Sequence, residues 1–161
     1  MPSILFICTG NLYRSPLAAA IFRRLLDERG RADWDVSSAG TWAAPDRRVP
    51  DGVLRAAANF GAELSSHRTR IVNAEMLAQS DLILVMEKGH KEALDLEFPF
   101  AGGKTRLLSQ LADGLAYDIL DPLISGGDAA SLASELRKLL EKGFETICKQ
   151  ATDSSTNSNH G

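Results

Sequence analysis

The segment Cys8-Thr9-Gly10-Asn11-Leu12-Tyr13-Arg14-Ser15-Pro16 carries a thiol, then five residues, then a guanidinium and a hydroxyl. It follows the unbroken apolar run Ser3 to Ile7 and precedes Leu17, Ile21 and Leu25 at helical spacing. A helix start presents free N–H groups and the positive end of its macrodipole, which together attract an anion. Gly10 and Asn11 tolerate positive φ, so successive N–H groups can turn inward around one oxyanion. Arg14 adds a planar fork suited to two phosphate oxygens. The same field favours a reactive thiolate at Cys8. The chemistry this pattern points to is a nucleophilic sulfur at the base of a phosphate cradle. Taken singly, each feature has a plainer meaning: a small buried hydrophobe, a Gly-Asn turn, a Ser-Pro helix start. Their conjunction at this spacing outweighs those readings.

Positioning such a loop requires a strand before it and a helix after it. Ser3 to Ile7 reads as a strand buried on both faces. Ser15 is a good N-cap and Pro16 suits the first helical position, with Gly30 as the stop. Further strands are expected over Trp34 to Ser38, Leu82 to Met86 and, more weakly, Thr105 to Leu108. Asp51 to Phe60 reads as a helix, and one long amphipathic helix is expected from about Ala129 to Lys149, burying Leu132, Leu136, Leu139, Leu140 and Ile147. Strands separated by helices imply right-handed βαβ units. The fold expected is a single α/β domain of three layers, with a central four-stranded parallel sheet and helices on both faces. In such sheets ligands bind at the carboxyl ends of the strands, where Cys8 lies.

Composition sets the bounds. With 161 residues, 44% of them hydrophobic and 24% charged, the chain suits one globular domain, assigned to residues 1–150. Residues 151–161 are almost entirely small and polar and read as a disordered tail. The formal net charge of -3 lacks the basic excess of a nucleic-acid binder. No apolar run approaches the roughly 20 residues of a membrane span, and the N-terminus lacks a basic leader. Two cysteines cannot build a disulfide framework. A cytoplasmic protein is expected, without nucleic-acid or membrane partners.

Cleaving a phosphate ester also requires a proton donor opposite the nucleophile. The residues alone leave two candidates, Asp118 and Asp121, in Asp118-Ile119-Leu120-Asp121-Pro122.

The loop resembles the phosphate-binding loop of the low-molecular-weight protein-tyrosine phosphatases, whose signature is Cys, five residues, Arg, Ser. Ser37-Ser38-Ala39-Gly40-Thr41, His67-Arg68-Thr69-Arg70, Asp81 to Met86 and Asp118 to Pro122 resemble further segments of that family, so the likeness spans about the first 150 residues. The resemblance implies Cys8 as nucleophile, Arg14 as phosphate clamp and Asp121 as general acid. Thr9, Gly10, Asn11, Leu12, Tyr13 and Ser15 complete the loop. Ser15 would assist the departing thiolate, and Asn11, Ser38 and His67 would hold the loop in shape. The implied substrate is a phosphorylated protein and the product inorganic phosphate, with no cofactor and no metal.

Three departures bear on substrate choice. Tyr13 stands where the family commonly has a second cysteine. Leu123 and Ile124 follow Asp121-Pro122 where an aromatic commonly walls the pocket, and Trp42 is a candidate to supply that surface. The chain lies near the arginine-phosphatase branch, which by resemblance carries Thr at the position of Leu12. Leu12 itself favours phosphotyrosine. Related arsenate reductases need two further cysteines, and only Cys148 remains. A non-catalytic phosphopeptide-binding module stays as an alternative from another class. Gly103-Lys104-Thr105 imitates a nucleotide loop, but Phe98 occupies its first glycine position. His67, His90 and His160 lack metal-ligand spacing.

Overall fold

A computed structural model describes residues 1–158. Four strands, β1 (Ser3–Cys8), β2 (Asp35–Gly40), β3 (Leu82–Val85) and β4 (Thr105–Leu107), form one parallel sheet in the order β2-β1-β3-β4. The alternation of side chains along β1 divides the core in two. Ile4, Phe6 and Cys8 pack on one face, under α1 (Arg14–Glu28), α2 (Asp51–Ala58), α5 (Leu108–Asp113), α7 (Ala129–Lys142) and α8 (Phe144–Ser158). Leu5 and Ile7 pack on the other, under α3 (Ala74–Gln79) and α4 (Lys88–Glu97). The three-layer α/β sandwich is thus as expected.

The connection from β1 through α1 leads outward to β2, whereas that from β3 through α4 leads the opposite way to β4. Strand order therefore reverses between β1 and β3, and a crevice opens beyond their carboxyl ends. The loops entering it are Thr9 to Tyr13 after β1 and Met86–Glu87 after β3. A short helix, α6 (Pro122–Ser125), closes the near side.

Several sequence expectations change. The first helix begins at Arg14, so Ser15 lies inside its first turn and is not its cap; among the described residues no side chain caps this end. That leaves its N–H groups to an outside anion. Asn11 takes positive φ (57°), but Gly10 does not. The single long C-terminal helix divides at Gly143, where a Cβ would sit 2.4 Å from that of Ala112. The expected disorder after residue 150 is contradicted through Ser158, because α8 continues there. Ala151 is fully buried, so packing carries the helix into the polar stretch, where the Thr152 and Thr156 hydroxyls satisfy themselves on the carbonyls four residues back. The last part of the expected tail, including His160, lies outside the described residues. Short helices α3, α4 and α5 were not foreseen, and Leu108, expected in β4, begins α5.

Candidate active site

The loop after β1 is held by a chain of hydrogen bonds centred on Asn11, which is fully buried. Its amide nitrogen donates to Ser15 Oγ (2.9 Å) and Ser38 Oγ (3.0 Å), and its amide oxygen accepts the Arg70 N–H (3.1 Å). Its backbone carbonyl accepts from His67 Nε2 (3.1 Å). Burial pushes His67 below its ordinary value, against the pull of that carbonyl and with help from Arg70, so a neutral ring donates. Asn11, Ser38 and His67 thus lie in one hydrogen-bonded group, which also includes Arg70. Each polar atom of the Asn11 side chain has a partner, which offsets the cost of burying it.

Cys8 ends β1 with its Sγ 2.9 Å from Ser15 Oγ. Ser15 Oγ accepts from Asn11, and its one proton has two acceptors in reach, the Ala39 carbonyl at 3.4 Å and the nearer Cys8 sulfur, which as an anion is the stronger acceptor. The β2 end approaches closely: Thr41 and Trp42 N–H groups donate to the Cys8 and Thr9 carbonyls (2.9 and 3.0 Å). A Cβ at Gly40 would lie 2.3 Å from the Thr9 oxygen, so this approach requires glycine.

Arg14 is 1% exposed, a position a charged side chain occupies only when well partnered. Its Nη1 donates to Glu87 Oε2 (2.5 Å) and to the Ile119 carbonyl (2.8 Å), which uses both hydrogens. Its Nη2 lies 3.4 Å from Thr9 Oγ1 and 3.7 Å from Asp121 Oδ2. One edge of the guanidinium is therefore anchored, while the other faces the crevice. Glu87 is the partner that sequence reasoning missed. Its only local signal is its place just after β3, at the switch point, in a Glu-x-x-His order that inverts the usual capping-box pattern.

Glu87 caps α4, and its carboxylate and the His90 side chain take each other's backbone N–H. His90 also lies 2.8 Å, through Nε2, from Thr9 Oγ1. Burial, reinforced by Arg14, pushes His90 down to about 4 despite Glu87, Asp118 and Asp121, so its 3.6 Å approach to Glu87 is not an ion pair at neutral pH.

The two candidate acids separate. Asp118 Oδ1 accepts the Lys88 N–H (2.8 Å) and so braces the start of α4. Asp121 caps α6 through the Leu123 N–H (3.0 Å) and lines a small cavity with Cys8, Gly10, Leu12, Tyr13, Arg14 and Leu123. Tyr13 and Leu123 supply wall surface, and Leu123 stays 67% exposed. Trp42 is joined to the loop by its backbone; its ring, 83% exposed, stands outside that lining. Among the described residues, no His, Cys, Asp and Glu cluster suits a metal ion, and no helix is long and apolar enough to cross a membrane.

Fold and site together define a small α/β protein with a thiol at the base of a phosphate-type anion cradle. The chain belongs to the low molecular weight phosphotyrosine protein phosphatase family, whose model matches residues 3–156, and is accordingly a protein phosphatase. It is 36% identical over 147 residues to the protein-arginine-phosphatase of Geobacillus stearothermophilus, covering 89% of this chain and 95% of that one. It is 35% identical over 127 residues to the low molecular weight protein-tyrosine-phosphatase Etp of Escherichia coli K12, covering 79% and 81%. A solved structure of the YwlE arginine phosphatase, a cysteine-to-serine mutant with a phosphorylated active-site serine, matches with a TM-score of 0.83 at 29% identity. It covers 91% of this chain and 96% of that one.

Proposed function

We propose that the protein hydrolyses phosphotyrosine in proteins through a phosphoryl group carried on Cys8. The carrying observation is the convergence of Cys8, the crevice-facing edge of Arg14 and Asp121 on one cavity at a helix start that no side chain among the described residues caps. The Cys8 sulfur attacks phosphorus, while Arg14 Nη2 and the loop N–H groups hold the equatorial oxygens. The bond to the ester oxygen breaks, and protonated Asp121 gives that oxygen its proton. Asp121, now a carboxylate, takes a proton from water as the water attacks the cysteinyl-phosphate. Inorganic phosphate leaves, and Ser15 donates to the regenerated thiolate. A relative in which a serine replacing cysteine carries phosphate supports this covalent step. A nucleophilic thiol needs a reducing compartment, and we place the protein in the cytoplasm.

The named arginine phosphatases motivate a second substrate reading. Leu12, Tyr13 and Leu123 argue for phosphotyrosine, because an apolar wall suits an aromatic ring better than a guanidino group. The test compares rates on phosphotyrosine and phosphoarginine peptides, with Cys8→Ser as control. Faster phosphotyrosine cleavage, abolished in the variant, is expected. Preference for phosphoarginine would overturn the substrate assignment, and phosphate binding without turnover would make the protein a binding module.

A further inference from the structure

We propose that His90 is a positioning residue for the phosphoryl site: from the first turn of α4 it fixes Thr9 and, through Thr9, the crevice-facing edge of Arg14. The proposal rests on the phosphatase reading of Cys8 and Arg14 but assigns a role outside the phosphate loop. His90 is 6% exposed, so its imidazole needs partners for both nitrogens. Nδ1 accepts the Glu87 N–H at 3.1 Å. A neutral ring with Nδ1 as acceptor carries its hydrogen on Nε2, and this nitrogen therefore donates to Thr9 Oγ1 at 2.8 Å. The depressed basicity of the buried ring keeps that tautomer in place at neutral pH.

A helix cap alone does not require this reach. Capping at this position needs one acceptor for the Glu87 N–H, which the near nitrogen supplies. The far nitrogen spans the gap between the loops after β3 and β1. It ends on the residue next to the nucleophile, on an oxygen that also faces Arg14 Nη2 at 3.4 Å. Glu87 makes the parallel connection, joining the same cap to Arg14 Nη1 at 2.5 Å. The two reciprocal capping residues of α4 thus grip the phosphate loop at both ends, Thr9 and Arg14. The guanidinium plane is set by contacts to both of its terminal nitrogens.

Two substitutions separate capping from positioning. His90→Asn retains an acceptor near Nδ1 but has nothing at Nε2. His90→Gln places an amide nitrogen near Nε2 but gives up the Nδ1 contact. Turnover of p-nitrophenyl phosphate, inorganic phosphate affinity by calorimetry and urea midpoints are measured for each. Loss of one buried hydrogen bond should weaken both kcat/KM and phosphate binding about fivefold to tenfold in His90→Asn, with its midpoint near that of the natural protein. His90→Gln should keep both within about twofold while unfolding at lower urea. Thr9→Val, which also removes the Arg14 contact, should lose at least as much as His90→Asn, and the double variant should be no worse than Thr9→Val alone, since His90 acts through Thr9. Equal activity in natural and Asn forms, the opposite ranking of Asn and Gln, or additive losses would each make His90 a cap only and overturn the proposal. Failure of the phosphatase reading is distinguishable: the natural protein would bind phosphate without turning over the ester, and the ranking of phosphate affinities would still decide the role of His90.

Discussion

Removing the Glu87 charge exposes how Arg14 is tolerated in the interior. The Arg14 side chain is 2% exposed and that of Glu87 33%, with 2.5 Å between them. Breaking a buried pair by neutralising one member costs about 3–5 kcal/mol, because a charge remains without its counter-ion. Here Glu87 is partly solvated, and the Ile119 carbonyl (2.8 Å) and Asp121 (3.7 Å) remain near the guanidinium. Glu87→Gln should therefore cost less, about 2–3 kcal/mol, which lowers Tm by roughly 4–12 °C in a domain of this size. The uncompensated guanidinium should then favour a dianion. Saturating inorganic phosphate should raise the Tm of Glu87→Gln more than it raises that of the natural protein, while kcat falls because the anchored edge is loosened. Scanning calorimetry at several phosphate concentrations reads both effects, since stabilisation grows as the logarithm of ligand over Kd. An unchanged Tm, or a phosphate-induced shift no larger than in the natural protein, would refute the view that Glu87 is the counter-charge holding Arg14.

Asp121→Asn should slow aryl phosphate esters in proportion to leaving-group basicity, because a good leaving group hardly needs a proton; a Brønsted series measures this. Asp118→Asn should leave that slope unchanged, and a steeper slope for Asp118→Asn would transfer the acid role. Leu12→Thr should shift the ratio of rates from phosphotyrosine toward phosphoarginine peptides, and an unmoved ratio would place selectivity in Leu123 or Trp42. His90 titrates near 4 when folded against an ordinary 6.5, so the unfolded chain binds the extra proton between these values. Its contribution is present above about pH 6.5 and is lost as pH falls toward 4, by up to about 3 kcal/mol. In urea titrations between pH 7 and 4 the natural protein should therefore lose about that much more stability than His90→Asn, which starts near it at pH 7 and has no such group to titrate; equal losses in the two would contradict it.

The parts of this protein legible in its sequence are those that neighbouring residues encode together. Cys8, Asn11, Arg14 and Ser15 lie on one strand–loop–helix unit, so their spacing alone announces an anion cradle. The apolar runs of β1 and β3, buried on both faces, announce a parallel sheet. The resemblance brought in Ser38 and His67, but neither spacing nor composition could have said that both close on Asn11. Other features depend on chain segments far apart. Glu87 lies 73 residues from Arg14, and in sequence it is one more charge after a strand. Only the reversal of strand order between β1 and β3 brings it under the guanidinium. Asp118 and Asp121 are three residues apart and chemically alike; what divides them is that one meets the start of α4 and the other the Cys8 cavity. Ser15, a suitable cap by type, turns to sulfur because the helix starts at Arg14, two residues sooner than a Ser15 cap implies. Polar residues after Ala151 suggest a solvated tail, yet the buried face of α8 holds the preceding turn and the helix propagates from it. Local pattern determines which chemistry the chain can offer. Tertiary packing decides which charges lie within reach of it, because the free energy of a buried charge depends on partners that only folding supplies.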